Sequence, residues 1–320
     1  MSVPNRFGER QGSRPTPIED AFFHRPGERP GMYDRILLPT DGSEAADRAL
    51  DLAVAVAEAH GAELDVLYVA DTNQPSLARI QGDVRDVLEG RGEEVVQSAA
   101  DRARAAGVDA ETAVIQGGPA RTVLEYVEDR AVDLVVMGAR GERDVEQLFL
   151  GSVTERVVRS SPVPVLVVPP DSDRSYPPER VLVGTDGSGG SDAALGEAVD
   201  LATAAGAALH VVTVLESSLL GIDVRSASAA EERERRDAEL LAAAREQAED
   251  AGVATVETAV EEGGVVESLN GYAADHDVDL VVVGTHGRTG IDRRLLGSVT
   301  EDLLRTADVP VLSVRAGDEK

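Results

Sequence analysis

The chain has 320 residues, 42% of them hydrophobic, enough for about two domains of roughly 150 residues with real cores, which excludes wholesale disorder. Its 59 acidic against 31 basic residues give a net charge of −28, which repels phosphate backbones and anionic lipids and argues against nucleic-acid binding or membrane docking as a main function. There is no cysteine, so disulfides, thiolate nucleophiles and zinc–thiolate sites are excluded, and no apolar run approaches the ~20 residues needed to cross a bilayer.

Residues 1–31 come first and predict a disordered tail. Pro4, Pro15, Pro17, Pro26 and Pro30 fall among glycines and scattered arginines without a hydrophobic period, so little apolar surface is available to offset ordering entropy. Phe22 and Phe23 are its one hint of a partner-binding arm. The basic-then-apolar order of a secretory signal is not seen, and the expectation is a soluble, cytoplasmic protein. From 32 to 170, short β-branched runs at 35–39, 64–69, 110–115, 134–137 and 165–168 alternate with helical patterns at 45–60, 84–106, 120–129 and 153–160. This alternation is the signature of βαβ units and a parallel sheet. Unbroken apolar runs such as Leu134-Val135-Val136-Met137 suit strands covered on both faces. Residues 171–178, with Pro177 and Pro178, predict a short stiff linker. From 179 to 316 the alternation returns, with strands at 180–184, 209–214, 255–260, 280–283 and 311–314. Gly61, Gly107, Gly206 and Gly252 stand where helices should end. Each half predicts an open five-stranded parallel sheet with helices on both faces, a Rossmann-like α/β domain with right-handed crossovers.

The two halves are copies. Arg35-Ile-Leu-Leu-Pro-Thr-Asp-Gly-Ser43 is echoed 145 positions on by Arg180-Val-Leu-Val-Gly-Thr-Asp-Gly-Ser188. Asp133-Leu-Val-Val-Met-Gly138 and Gly151-Ser-Val-Thr-Glu155 return 146 positions on, at Asp279 to Gly284 and Gly297 to Glu301.

In open α/β sheets, ligands bind beyond the carboxyl ends of the strands. Two features of each copy fall there. Thr40-Asp41-Gly42-Ser43, and likewise Thr185-Asp186-Gly187-Ser188, follow the first strand. The carboxylate can accept from a ribose hydroxyl or an amino group; alternatively Asp or Ser merely caps the next helix. After the fourth strand come Gly138-x-x-Gly141, nine residues, then Gly151-Ser152; the second copy has Gly284-x-x-Gly287, nine residues, then Gly297-Ser298. Glycines let the backbone approach a ligand with its N–H groups turned outward as an anion nest. Gly151-Ser152-Val153-Thr154 then opens a helix whose N-terminus suits phosphate, with the Ser152 and Thr154 hydroxyls as further donors.

On these residues each half resembles a universal stress protein domain, and the chain resembles a tandem, ATP-binding member of that family. Both glycine loops fit the family's G-x-x-G-(nine residues)-G-[ST] pattern, and the resemblance covers all but the tail and the linker. It implies strand order 3-2-1-4-5, an adenine nucleotide hydrolase-like fold, and two domains joined through their fifth strands as an intramolecular pseudo-dimer. It implies ATP, with or without Mg²⁺ or Mn²⁺, with adenine near Thr40, Asp41 and Val69 and phosphates over Gly138, Gly141 and Gly151 to Thr154. The matching positions of the second copy are Thr185, Asp186, Val214, Gly284, Gly287, Arg288, Gly297, Ser298, Val299 and Thr300.

The first copy departs from the pattern in charge. It has Glu142, Asp144 and Glu146 where the second has Arg288 and Gly290, with Arg293 and Arg294 beyond. Carboxylates near a triphosphate weaken binding unless Arg140, Arg143 or a divalent ion offsets them, so the second copy is expected to be the tighter site. No catalytic or metal-ligating constellation is visible: His24, His60, His210, His276 and His286 share no ligand spacing. The acidic runs Glu231 to Asp237 and Glu261-Glu262 read as solvated surface. The expectation is a nucleotide-dependent sensor or regulatory module. A slow ATP hydrolase or nucleotidyl-handling enzyme, and a nucleotide-independent interaction scaffold, are the rivals. The sequence leaves open a second pairing into a homodimer and the identity of any protein partner.

The basic residues are Lys320 and 30 arginines. Near-absence of lysine beside abundant Asp, Glu and Ala resembles proteins of organisms that hold molar salt in the cytoplasm, halophilic archaea among them. At ~1 M salt the Debye length is about 3 Å, so the self-repulsion of such a body is screened.

Overall fold

Apolar runs too short for helices become strands, and the Ala-rich stretches between them become the helices that cover both faces. The computed structural model describes residues 31–71, 83–141, 150–215, 227–287 and 296–316. The tail, and the loop charges from Glu142 to Glu146 and from Arg288 to Arg294, lie outside these residues.

The first repeat runs β1 (Arg35–Pro39), α1 (Glu44–His60), β2 (Glu63–Asp71), α2 (Asp83–Ala105), β3 (Ala110–Gly117), α3 (Pro119–Asp129), β4 (Leu134–Gly138), α4 (Ser152–Ser160) and β5 (Val165–Val168). The second runs β6 (Arg180–Gly184), α5 (Gly189–Ala205), β7 (Ala208–Leu215), α6 (Ala227–Asp250), β8 (Val256–Glu262), α7 (Val265–Asp275), β9 (Leu280–Gly284), α8 (Ser298–Thr306) and β10 (Val311–Val314). Helix α1 shows why: Ser43 caps its first turn, Ala46, Ala49, Leu50, Ala53, Val56 and Ala57 recur on one buried face, and Gly61 at φ 67° ends it in the left-handed conformation.

Each repeat has the order 3-2-1-4-5, and the two half-sheets fuse into one ten-stranded sheet, β3-β2-β1-β4-β5-β10-β9-β6-β7-β8. Every pairing is parallel except β5 with β10, which meet antiparallel with Leu312 opposite Leu166. Strands this apolar cannot end a sheet in water, so each fifth strand closes the other's edge. Alternate residues feed two layers: Ile36 and Leu38 pack with α1 and α2, Leu37 with α3 and α4. Each fully buried leucine contributes about 2 kcal/mol.

The linker is held down. Tyr176 Oη lies 2.5 Å from His60 Nε2, and Arg174 Nη1 reaches Asp279 Oδ1 at 3.1 Å. Beside it, buried Tyr33 donates to Glu197 Oε1 at 2.8 Å, tying the start of the first repeat to α5 of the second.

Equivalent positions outside the clefts carry different chemistry. In the first repeat Asp65, fully buried, accepts from Arg35 Nη1 at 3.2 and 3.3 Å. In the second the same place holds His210, 3.0 Å from Tyr272 Oη, with His276 stacked on the Tyr272 ring at 3.8 Å. Burial pushes the His210 pKa down, with His276 and Arg180 adding to the fall and Glu257 opposing it. A histidine depressed in the folded state stabilises above its unfolded value of about 6.5 and loses that contribution as pH falls. The urea midpoint should therefore drop between about pH 7.5 and pH 5, and the drop should be smaller in His210→Gln. An unchanged slope in that variant would remove His210 as a source; His60, also pushed down by burial, leaves a residual slope of the same sign.

Candidate functional site

At the end of β1 the chain turns sharply into α1. Thr40 N–H donates to the Leu67 carbonyl at 2.9 Å, which extends the pairing with β2 by one residue. Gly42 N–H then donates to Thr40 Oγ1 at 3.2 Å, and Ser43 N–H to Asp41 Oδ1 at 3.0 Å. Ser43 Oγ accepts from Ala46 N–H at 3.2 Å, so the helix cap is the serine. The aspartate instead shapes the turn with one oxygen and turns the other toward the glycine loop, where a Cβ on Gly141 would stand 2.7 Å from Asp41 Oδ2. The second repeat repeats this: Ser188 N–H donates to Asp186 Oδ1 at 2.9 Å, and a Cβ on Gly287 would stand 3.2 Å from Asp186 Oδ2.

At the end of β4, Gly138 lies so close to α1 that a Cβ would stand 2.9 Å from the Ala45 carbonyl oxygen. Gly151 N–H donates to the Ala139 carbonyl at 2.8 Å and closes the base of the loop. Helix α4 then starts with Gly151 as its N-cap and, among the described residues, no side chain capping it. First-turn N–H groups have no acceptor within a helix, so Ser152, Val153 and Thr154 present amides at its positive end. Helix α8 starts the same way from Gly297.

One sequence expectation is corrected. The Thr154 hydroxyl donates to the Gly138 carbonyl at 2.9 Å, and that of Thr300 to the Gly284 carbonyl at 2.7 Å. These hydroxyls lock the helix N-terminus to the end of the central strand and are not further ligand donors; the threonines offer their backbone amides. Ser152 and Ser298 remain exposed.

The structure gathers the expected residues into two clefts. Thr40, Asp41, Val69, Gly138, Gly141, Gly151, Ser152, Val153 and Thr154 all line the first, of about 290 Å³. Thr185, Asp186, Val214, Gly284, Gly287, Gly297, Ser298, Val299 and Thr300 line the second, of about 540 Å³. Arg288 lies outside the described residues. Each cleft joins an apolar wall, with Leu67 and Met137 in the first and Val212 and Val283 in the second, to a nest of amides. Arg91 and Arg140 bring positive charge to the first, and Arg233 and Arg236 to the second, where the His286 ring also lines the wall.

Sequence reasoning missed Arg91 and Arg236, which occupy equivalent positions on α2 and α6; the repeat spacing is the signal that pairs them. It also misassigned Asp237. Glu231, Glu232 and Glu234 are exposed as expected, but Asp237 is only 5% exposed and lines the second cleft. Among the described residues no cluster of three or more His, Asp or Glu is arranged to hold a metal ion. None of their helices is long and apolar enough to cross a membrane.

Residues 32–169 and 178–315 each match the profile of the Universal stress protein family. A universal stress protein of Synechocystis sp. is 27% identical over 302 residues, which span 88% of this chain and 99% of that one. A universal stress protein of Methanocaldococcus jannaschii is 34% identical over 140 residues, 43% of this chain and 82% of that one. Among solved structures, a universal stress protein from Archaeoglobus fulgidus aligns with TM-score 0.67 and 25% identity over 90% of this chain and 98% of that one. The duplicated strand–glycine-loop–helix cradle and these matches agree, and the chain is a tandem two-domain member of the universal stress protein family.

Proposed function

We propose that the protein is a cytoplasmic ATP-binding module that senses or relays nucleotide state, with one site in each repeat. The observation that carries this is the N-terminus of α4, and of α8, without a side-chain cap among the described residues, sharing a cleft with an aspartate whose Oδ2 a Cβ on the loop glycine would approach to 2.7 Å in the first repeat and 3.2 Å in the second. Amides of residues 152–154 and 298–300 hold phosphate oxygens, with Arg140 in the first cleft and His286 in the second beside them. Asp41 and Asp186 accept from the sugar, and Val69 and Val214 pack on the base. The loop charges make the second site the tighter one, since Arg288 stands where the first loop has Glu142. A divalent ion bound with the nucleotide would be held by its phosphates. The lysine-poor, −28 composition supports a cell interior of molar salt.

The test is made on the full chain purified in molar KCl. Mass spectrometry should find ATP or ADP co-purified, and calorimetric titration of the emptied protein should give two nucleotides per chain. Retention with turnover well below about 1 per second is the sensor's result. Faster turnover would favour the hydrolase, and no binding at either site would leave the scaffold.

A further inference from the structure

The two clefts are not copies at one wall. In the first repeat Tyr68 of β2, 8% exposed, lies against Gly92 of α2, where a Cβ would come within 2.6 Å of the ring. The equivalent pair in the second repeat is Thr213 and Asp237. The large ring is gone, the cleft holds about 540 rather than about 290 Å³, and its wall carries a carboxylate. Ser191 replaces Ala46 on the same side.

Asp237 is buried, yet among the described residues its Oδ2 has no hydrogen-bond partner, and Oδ1 has only Arg236 Nε at 3.8 Å. A second atom in this cleft is in the same condition. His286 Nδ1 lies 2.9 Å from Thr285 Oγ1, while its buried Nε2 is unpartnered. A buried carboxylate oxygen without a donor is costly to keep, and the first repeat fills the same place with an apolar ring. Two orphaned polar atoms from different elements, α6 and the loop after β9, converge on one cavity.

We infer that the second cleft contains a subsite the first lacks, in which Asp237 accepts a hydrogen bond from a donor on the bound nucleotide, either the exocyclic amine of the base or a ribose hydroxyl. The two clefts of one chain then select differently. The first, closed by Tyr68, discriminates by shape, and the second by that donor. This rests on the nucleotide reading above.

The experiment uses the full chain with Ser152→Glu, which fills the first anion site so that calorimetry reports the second alone. ATP, inosine triphosphate, 2′-deoxy-ATP and 3′-deoxy-ATP are titrated into this background with and without Asp237→Ala. Losing a hydrogen bond to a charged acceptor should weaken ATP about tenfold or more in Asp237→Ala. One analogue, the one lacking the donor, should bind both proteins equally, which identifies the amine or the hydroxyl as its source. Without nucleotide, Asp237→Ala should unfold at the same or a higher temperature, because a buried carboxyl oxygen that lacks a hydrogen-bond donor is removed. Thr213→Tyr with Asp237→Gly rebuilds the first cleft's wall and serves if the alanine variant folds poorly. ATP affinity unchanged by Asp237→Ala overturns the inference and leaves the nucleotide reading standing. A loss shared by ATP and every analogue also overturns it, since Asp237 would then act only on cleft shape. Failure of the Asp237-intact chain to bind ATP removes both readings together.

Discussion

Ser298→Glu should remove one bound nucleotide from each chain, and Ser152→Glu the other. Both serines are exposed first residues of helices that start from an uncapped glycine. A glutamate there is favoured by the helix dipole by about 0.3–1 kcal/mol, so folding is not weakened. Its carboxylate takes the place of the phosphate and repels what remains of it. Two charge-assisted hydrogen bonds at about 1.5–3 kcal/mol each correspond to a loss of at least about a hundredfold in affinity. Titration should give one nucleotide per chain in either single variant and none in the double variant, with thermal melting of the empty protein unchanged or slightly raised. A double variant that still binds two would show that the helix N-termini do not hold the anion. The two single variants also rank the sites, and Ser152→Glu, which keeps the second cleft, should retain the tighter binding.

Gly190→Ala is the second large effect, and local and tertiary physics predict opposite signs for it. Gly190 lies in the first turn of α5, where replacing glycine by alanine should stabilise by about 0.5–1 kcal/mol through chain entropy. The Cβ, however, would stand 1.9 Å from the His286 carbonyl oxygen. That is backbone against backbone, with no flexible side chain to yield, and such overpacking costs about 1–3 kcal/mol, sometimes more. The contact wins. The first repeat shows the contrast, since its equivalent residue is Ala45, accommodated beside Gly138 and a loop of different sequence. The urea midpoint should fall, and nucleotide affinity at the second site should fall with it, because His286 and Gly287 must move. A variant as stable as the parent would mean the loop after β9 shifts freely, and with it the rigid nest of the second site would be lost.

The strands were legible because apolar runs such as Leu134 to Met137 carry a local pattern that parallel, doubly covered strands require. The helix ends were legible from serine caps and glycines such as Ser43 and Gly61. The glycine loops were legible because their spacing occurs twice. Each of these signals acts within a few residues or is repeated along the chain. Asp237 was not legible. Its neighbours are charged and exposed, and only the packing of α6 against the sheet buries that one residue, in the wall of the second cleft that Thr213 also lines. Nor was the fate of the Thr154 and Thr300 hydroxyls, which the carbonyls of Gly138 and Gly284 claim from another element. The bond from Tyr33 to Glu197 joins residues far apart in the chain and close only once β5 meets β10. The order of residues thus determined two copies of one α/β cradle and the backbone groups that line it. Which side chains face into each cleft, and how unequal the two clefts are, depended on long-range packing, because a side chain's direction follows from what its element rests against.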